Sequence, residues 1–169
     1  AGLVGSLLAI YLRKKGHNVA VYERRSDMRK NTISAGRSIN LALSDRGWRG
    51  LKDVGIDEQV RQIGIPMKGR TIHNLNSSIA FQPYGKEGQY INSVSRGELN
   101  KQLMTIAEEH GVNINFNEKC TTLDWKNDKI EFENTAGKQL PSSKADIIFG
   151  ADGAFSAARL QHQLQHDKF

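Results

Sequence analysis

Residues 1–24 read AGLVGSLLAIYLRKKGHNVAVYER. Gly2 and Gly5 stand where the last two glycines of G-x-G-x-x-G fall, with the first expected one residue before Ala1. Leu7, Leu8, Tyr11 and Leu12 recur at roughly helical spacing over Gly5 to Lys15. Arg13, Lys14 and Lys15 fill the last turn, and Gly16 follows as a stop. Val19-Ala20-Val21-Tyr22 is then an apolar run of strand length, closed by Glu23. This is the helix-strand tail of a β-α-β unit, whose first strand is expected upstream of Ala1. A helix N-terminus offers free N–H groups and partial positive charge to a phosphate. Glycine there lets the main chain approach a pyrophosphate, and Glu23, 21 residues after Gly2, is placed to accept from ribose hydroxyls. An acid at that point repels a 2′-phosphate, so NAD or FAD suits this pocket better than NADP.

The whole chain has 169 residues, enough for one domain with a real core. Cys120 is the single cysteine, so no internal disulfide forms and a reducing, cytoplasmic setting is the default. No basic-then-apolar leader opens the chain, and its longest apolar run, Leu7 to Leu12, is too short to span a bilayer. The net charge of +6 suits phosphorylated or anionic ligands. The basic residues are scattered without interleaved aromatics, which argues against nucleic acid. The five histidines show no metal-ligand spacing with Cys120. His162 and His166, at i and i+4, read as a solvated helix face.

Downstream, Arg24 to Gly36 is polar and reads as loop, and Ile39 to Leu43 as a short strand or turn. Ser44 to Val54 reads as a helix ending at Gly55, and Asp57 to Ile63 as another. Lys68 to Leu75, Ile79 to Phe81 and Tyr90 to Val94 read as three strands of a small sheet. Ser95-Arg96-Gly97-Glu98 fits a capping box opening a helix to His110, with Gly111 as its stop. Strands follow at 112–116, 121–126 and 129–133, the last two joined around Asn127-Asp128. Ile147-Ile148-Phe149 reads as a buried strand emptying into Gly150-Ala151-Asp152-Gly153. Leu160 to Phe169 ends without a fold-completing element, so the chain is expected to be cut at both ends.

An NAD dehydrogenase would continue with alternating strands and helices, and this order does not. Asp152-Gly153, followed by Ser156 and Arg159, resembles the Asp-Gly motif of the single-component flavin hydroxylases, which touches both flavin and reduced nicotinamide. The stretches AGRSINLALSDRG (35–47), IPMKGRTIH (65–73), QPYG (82–85) and YINSVSRGELNKQL (90–103) resemble the kynurenine 3-monooxygenases within that family. Ala35 departs from their pattern, which has Arg there. The similarity runs in order along essentially the whole chain.

The resemblance implies an α/β, Rossmann-like FAD-binding domain over 1–66 and 95–169, with 67–94 giving strands to a small substrate-binding sheet. It implies FAD held by Gly2, Val4 and Gly5 at the pyrophosphate, by Tyr22, Glu23, Arg24 and Arg25 at the ribose, and by Ala42, Arg96, Cys120, Asp152 and Gly153. Cys120 reads equally well as a small core residue. The implied reaction is NADPH- and O2-consuming hydroxylation of L-kynurenine to 3-hydroxy-L-kynurenine through a flavin C4a-hydroperoxide, in tryptophan breakdown or NAD synthesis. Arg70 and Tyr84 match the residues that receive the substrate carboxylate. Arg suits a carboxylate because it donates two parallel N–H bonds. Lys68 shares the face of Arg70 by strand alternation, so periodicity does not separate them. The ring amine already activates the attacked carbon, so no strong protein base is required, and no nucleophile or triad is nominated. The chain alone is expected to be inactive, and membrane attachment belongs to a C-terminal segment of some relatives. Two readings stay open beside this one: a hydroxylase of the same fold for another aromatic acid, and a non-catalytic FAD-binding protein.

Overall fold

The computed structural model describes residues 1–30 and 40–165. In chain order its elements are α1 (Leu3–Lys14), β1 (Ala20–Glu23), β2 (Asn40–Leu43), α2 (Asp45–Asp53), α3 (Asp57–Arg61), β3 (Ile65–Met67), β4 (Gly69–His73) and β5 (Ile79–Pro83). There follow β6 (Ile91–Ser95), α4 (Arg96–Glu109), β7 (Asn113–Phe116), β8 (Lys119–Asp124), β9 (Lys129–Glu133), β10 (Ser143–Lys144) and α5 (Ala157–Gln165). Two compact units emerge, Ala1–Ile33 with Leu103–Phe169, and Ser34–Gln102.

In the first unit β1 and β7 pair in parallel, Ala20 opposite Asn113 through Glu23 opposite Phe116. Parallel pairing needs a crossover, and this ladder brings the residues after Glu23 beside those after Phe116. The expected glycine stops all form. His17 N–H reaches Leu12 O and Gly16 N–H reaches Arg13 O, with Gly16 at φ +89°. Gly55-Ile56 and Gly111-Val112 close α2 and α4 by the same pair of bonds, which orphan carbonyls at a helix end require. β8, β9 and β10 form an antiparallel sheet whose buried Leu123, Ile130 and Phe132 pack with Tyr22, Cys120, Trp125 and Ile148. The β8–β9 turn sits where expected: Asp128 has φ +51°, and Asp124 Oδ1 accepts the N–H groups of Lys126 and Asn127.

In the second unit β6 lies between β2 and β3 in an antiparallel sheet, burying Asn92 and Val94 on one face. The expected third strand of the small sheet therefore belongs elsewhere, and β4 and β5 form a separate two-stranded hairpin. Strand periodicity gives a strand its buried face but not its neighbours. β3 had no separate signal because Pro66 breaks the apolar run. Ser95 accepts the Glu98 N–H at 3.4 Å, but the Glu98 carboxylate takes Lys101 at 3.1 Å, so only one side of the capping box forms.

Two further expectations are corrected. Residues 147–149 form no strand: Ile147 and Phe149 are exposed, and Ile148 alone turns into the β8–β9 cluster. Three apolar residues without a ladder partner cannot bury alternating faces. The C-terminal stretch carries α5, whose Gln165 side chain donates to Leu123 O at 2.8 Å and whose His162 ring meets Trp125 edge-on at 5.7 Å. His166 lies outside the described residues. No described helix is long and apolar enough to cross a membrane.

Candidate nucleotide site

The first unit assembles its site from three chain segments. The start of α1 is the first. Gly2 is the N-cap, no side chain caps the helix, and its first intrahelical bond is Ser6 N–H to Gly2 O at 2.9 Å. The preceding N–H groups of the first turn are left for an outside acceptor. A Cβ built on Gly2 would meet nothing within 4 Å, and Val4 is exposed. The helix end is an open set of donors.

The end of β1 supplies the second segment. Glu23 is buried, and its carboxylate accepts from the Ala1 nitrogen at 2.8 Å. Arg25 forks onto it, Nε to Oε1 at 2.9 Å and a terminal nitrogen to Oε2 at 3.0 Å, while the Arg25 N–H adds a third bond. Burial pushes this carboxyl up, but the hydrogen bonds from the Arg25 side chain and main chain pull the other way and hold it below the ordinary carboxylate range. Glu23 is thus an anion at any physiological pH. Arg24 is exposed. Tyr22 turns away, stacking on Phe132 with centroids 4.1 Å apart and sharing a hydrogen bond with Ser143.

The Asp-Gly turn supplies the third. A Cβ on Gly5 would stand 3.4 Å from the Ala151 Cβ, so the turn lies against the start of α1. Asp152 Oδ1 accepts the Ser156 hydroxyl at 2.5 Å and Oδ2 accepts the Ala158 N–H at 3.2 Å. Burial raises the Asp152 pKa, but these bonds outweigh it and keep the carboxyl below its ordinary range. Gly153 has φ +80°, a left-handed conformation that glycine adopts without cost. Ser156 also caps α5, accepting the Arg159 N–H at 3.0 Å, and Arg159 ties back to Ala154 O. Cys120 precedes a bulge in the β8–β9 register and packs in the core. Burial, then the Asp152 charge, push its thiol up, so it is no nucleophile. Tyr22 and Cys120 both commit part of their side chains to the β8–β9 cluster.

The other expected site residues lie in the second unit. Ala42 is on β2 and Arg96 opens α4, both exposed. Arg70 pairs with Gln82 across the β4–β5 hairpin, and its Nε donates to Gln82 Oε1 at 2.7 Å. Tyr84 N–H donates to Lys68 O at 3.0 Å, continuing that register. Lys68, Arg70, Gln82 and Tyr84 therefore share one face of the hairpin. The sequence reading missed Gln82, which only the register reveals. It also missed Ala151, whose contact with Gly5 spans too much chain to show in any local pattern. Among the described residues no group of three or more His, Cys, Asp or Glu stands ready for a metal ion.

Open helix N–H groups, an ionised acid at the end of the next strand and an Asp-Gly turn against the same helix define a dinucleotide-binding α/β domain. The FAD binding domain family matches residues 1–169, and the chain belongs to it. The residues fit that cofactor: space at Gly2 for a pyrophosphate, and an ionised Glu23 at the end of β1, its oxygens here taken by Arg25 and the Ala1 nitrogen. The chain is 46% identical over 168 residues to a kynurenine 3-monooxygenase of Christiangramia forsetii, covering 98% of this chain and 36% of that protein. It is 43% identical over 160 residues to one of Anopheles gambiae, covering 94% and 33%. The chain thus spans about a third of the length of these curated relatives. Among solved structures, 2-methyl-3-hydroxypyridine-5-carboxylic acid oxygenase superposes with a TM-score of 0.72 at 25% identity, over 95% of this chain and 40% of that one. The flavin-dependent monooxygenase PieE superposes with a TM-score of 0.75 at 18% identity, over 95% and 30%, and speaks for the fold alone.

Proposed function

We propose that the protein is an FAD-dependent monooxygenase that hydroxylates L-kynurenine to 3-hydroxy-L-kynurenine, with NADPH as reductant and O2 as co-substrate. The observation that carries this reading is the identity of 46% to a kynurenine 3-monooxygenase over nearly the whole chain. Residues 1–66 and 95–169 serve the flavin, and 67–94 serve the substrate. Bound FAD supplies the electron transfer and the oxygen activation.

The chain's own residues bind and orient. The N–H groups after Gly2 hold the pyrophosphate, with Val4 and Gly5 lining it. Glu23 accepts from the ribose hydroxyls, flanked by the main chain of Tyr22, Arg24 and Arg25. Asp152-Gly153 lines the flavin beside α1, with Cys120 next to it. Ala42 and Arg96 complete the set of flavin-binding residues that the family resemblance implies. Arg70 meets the substrate carboxylate with its guanidinium fork, and Tyr84 adds a hydroxyl on an apolar body. The shared face of Arg70 and Tyr84 supports that assignment. The aromatic amine of the substrate activates the neighbouring ring carbon, so this machinery positions and excludes water rather than moving protons.

The test uses the protein expressed from its complete reading frame with FAD. NADPH oxidation is followed with and without L-kynurenine, and the product is assayed. Stimulated oxidation with matching 3-hydroxykynurenine is the expected result. Bound FAD with no stimulation by kynurenine would keep the fold reading and reject the substrate.

A further inference from the structure

We infer that Asp27 and Arg29 form a latch holding the loop after β1 in its nucleotide-accepting shape, so that Arg29 is a positioning residue for FAD. This rests on the reading of Glu23 as the ribose acceptor. The segment Glu23-Arg24-Arg25-Ser26-Asp27-Met28-Arg29 folds one device twice. At Glu23 and again at Asp27, an acid accepts both the main-chain N–H and the guanidinium of the arginine two residues on. In the second copy Arg29 N–H reaches Asp27 Oδ1 at 3.0 Å, Nε reaches Oδ1 at 2.9 Å and a terminal nitrogen reaches Oδ2 at 2.8 Å.

The two forks differ in what lies behind them. The Arg25 side chain is 60% exposed and, among the described residues, forks onto Glu23. Arg29 is 21% exposed, and its other terminal nitrogen reaches out of the loop, to Glu108 Oε2 and to Thr105 Oγ1 on α4. Its guanidinium also lies 5.6 Å from the centre of the Phe116 ring on β7. Asp27 is buried at 8%. The guanidinium of the second fork is therefore pinned to a helix and a strand, whereas that of the first turns back onto the acid of its own segment.

Main-chain bonds hold the near end of the loop, with Glu118 N–H on Glu23 O at 3.0 Å and Asn117 N–H on Arg25 O at 3.2 Å. Between them the two anchors fix the residues that carry Glu23 and Arg25. Ordering this loop before the ligand arrives removes a cost that binding would otherwise bear. Arg29 needs no contact with the nucleotide to do this.

The test uses the full-length protein stripped of flavin, titrated with FAD by fluorescence quenching, alongside the melting temperature of each apoprotein. Arg29→Met is expected to weaken FAD about tenfold, and Glu108→Gln about threefold, as lost charge-assisted bonds to a loop anchor would. Arg29→Lys recovers part of the loss because it keeps the charge but not the fork. Glu108→Gln adds little on top of Arg29→Met, because both break one chain of contacts. The Arg29→Met apoprotein melts lower because buried Asp27 loses its partner, whereas Glu108→Gln melts close to wild type, so its weaker FAD binding is not a loss of fold. Should Arg29→Met fail to fold, Glu108→Gln decides, since its carboxylate is largely in solvent. FAD bound within about twofold of wild type by the folded variants overturns the latch. Glu23→Gln separates the two readings: if it weakens FAD and the Arg29 and Glu108 variants do not, the latch alone fails. If it leaves FAD unchanged, the ribose reading fails and takes the latch with it.

Discussion

The Ser156 hydroxyl donates to the Asp152 carboxylate at 2.5 Å while its oxygen accepts the Arg159 N–H at 3.0 Å. One side chain thus caps α5 and fixes the carboxylate of the Asp-Gly turn. Ser156→Ala should cost about 1 kcal/mol, the worth of an N-cap. It should also raise the Asp152 pKa, because a donor to the ionised form is lost. Thermal unfolding reads the first effect and a carboxyl NMR titration the second. An unchanged Asp152 titration would mean the main-chain donors hold the carboxylate alone.

Gly2 and Gly150 respond oppositely to an added methyl. Gly2 has φ −93° and open space at its Cβ, so Gly2→Ala should leave stability within about 0.5 kcal/mol. The methyl nevertheless stands where a pyrophosphate approaches, and FAD should bind at least about tenfold more weakly. A Cβ on Gly150 would lie 2.9 Å from the Ala158 Cβ, so Gly150→Ala forces the turn off α5. About 1–3 kcal/mol of destabilisation is expected there. Melting curves and FAD titrations of the two variants should show these opposite patterns.

The parts of this fold legible in the sequence are those with local causes. Gly16, Gly55 and Gly111 mark helix ends because the left-handed turn after each helix needs them. The cradle was legible because glycine, helix, strand and acid follow within 23 residues. Ile147-Ile148-Phe149 misled because an apolar triplet does not say which side chains have something to pack on. β6 misled because its partners, β2 and β3, are chosen by register over long separations. The spacing of His162 and His166 marks a helix face in the tail, but the start of α5 carries no signal because its cap, Ser156, is followed by Arg159 rather than by an acid at N3. The Asp27–Arg29 latch shows in sequence only as an alternation of charge. Its meaning comes from Glu108, 79 residues on.

Glu23 predicts an acid limb in the stability profile. The Arg25 fork holds its folded pKa below the ordinary 4.5. A depressed carboxyl contributes stability above its unfolded pKa and loses it as pH falls through the folded value. The contribution should therefore be complete above about pH 4.5 and fade as the pH falls below it. Glu23→Gln removes that limb, and denaturant titrations across this range should show a flatter profile. The same variant should weaken FAD about tenfold, since the amide accepts less strongly than a carboxylate.

Arg70 and Lys68 offer two cations on one hairpin face, and geometry distinguishes them. Arg70 is held by Gln82 through Nε, which leaves its terminal nitrogens free to meet a carboxylate side by side. Lys68 carries a point charge and no fork. Arg70→Ala should raise the KM for L-kynurenine by about a hundredfold, the loss of a two-bond charged contact. Lys68→Ala should change it less than about threefold. Both residues are exposed, so neither change should move the melting temperature appreciably. Gln82→Leu tests the orienting bond: an intermediate rise in KM with kcat preserved is expected, because the guanidinium keeps its charge and loses its aim. Steady-state kinetics on the three variants decides the matter. Equal effects from Lys68 and Arg70 would mean the face attracts the substrate by charge alone.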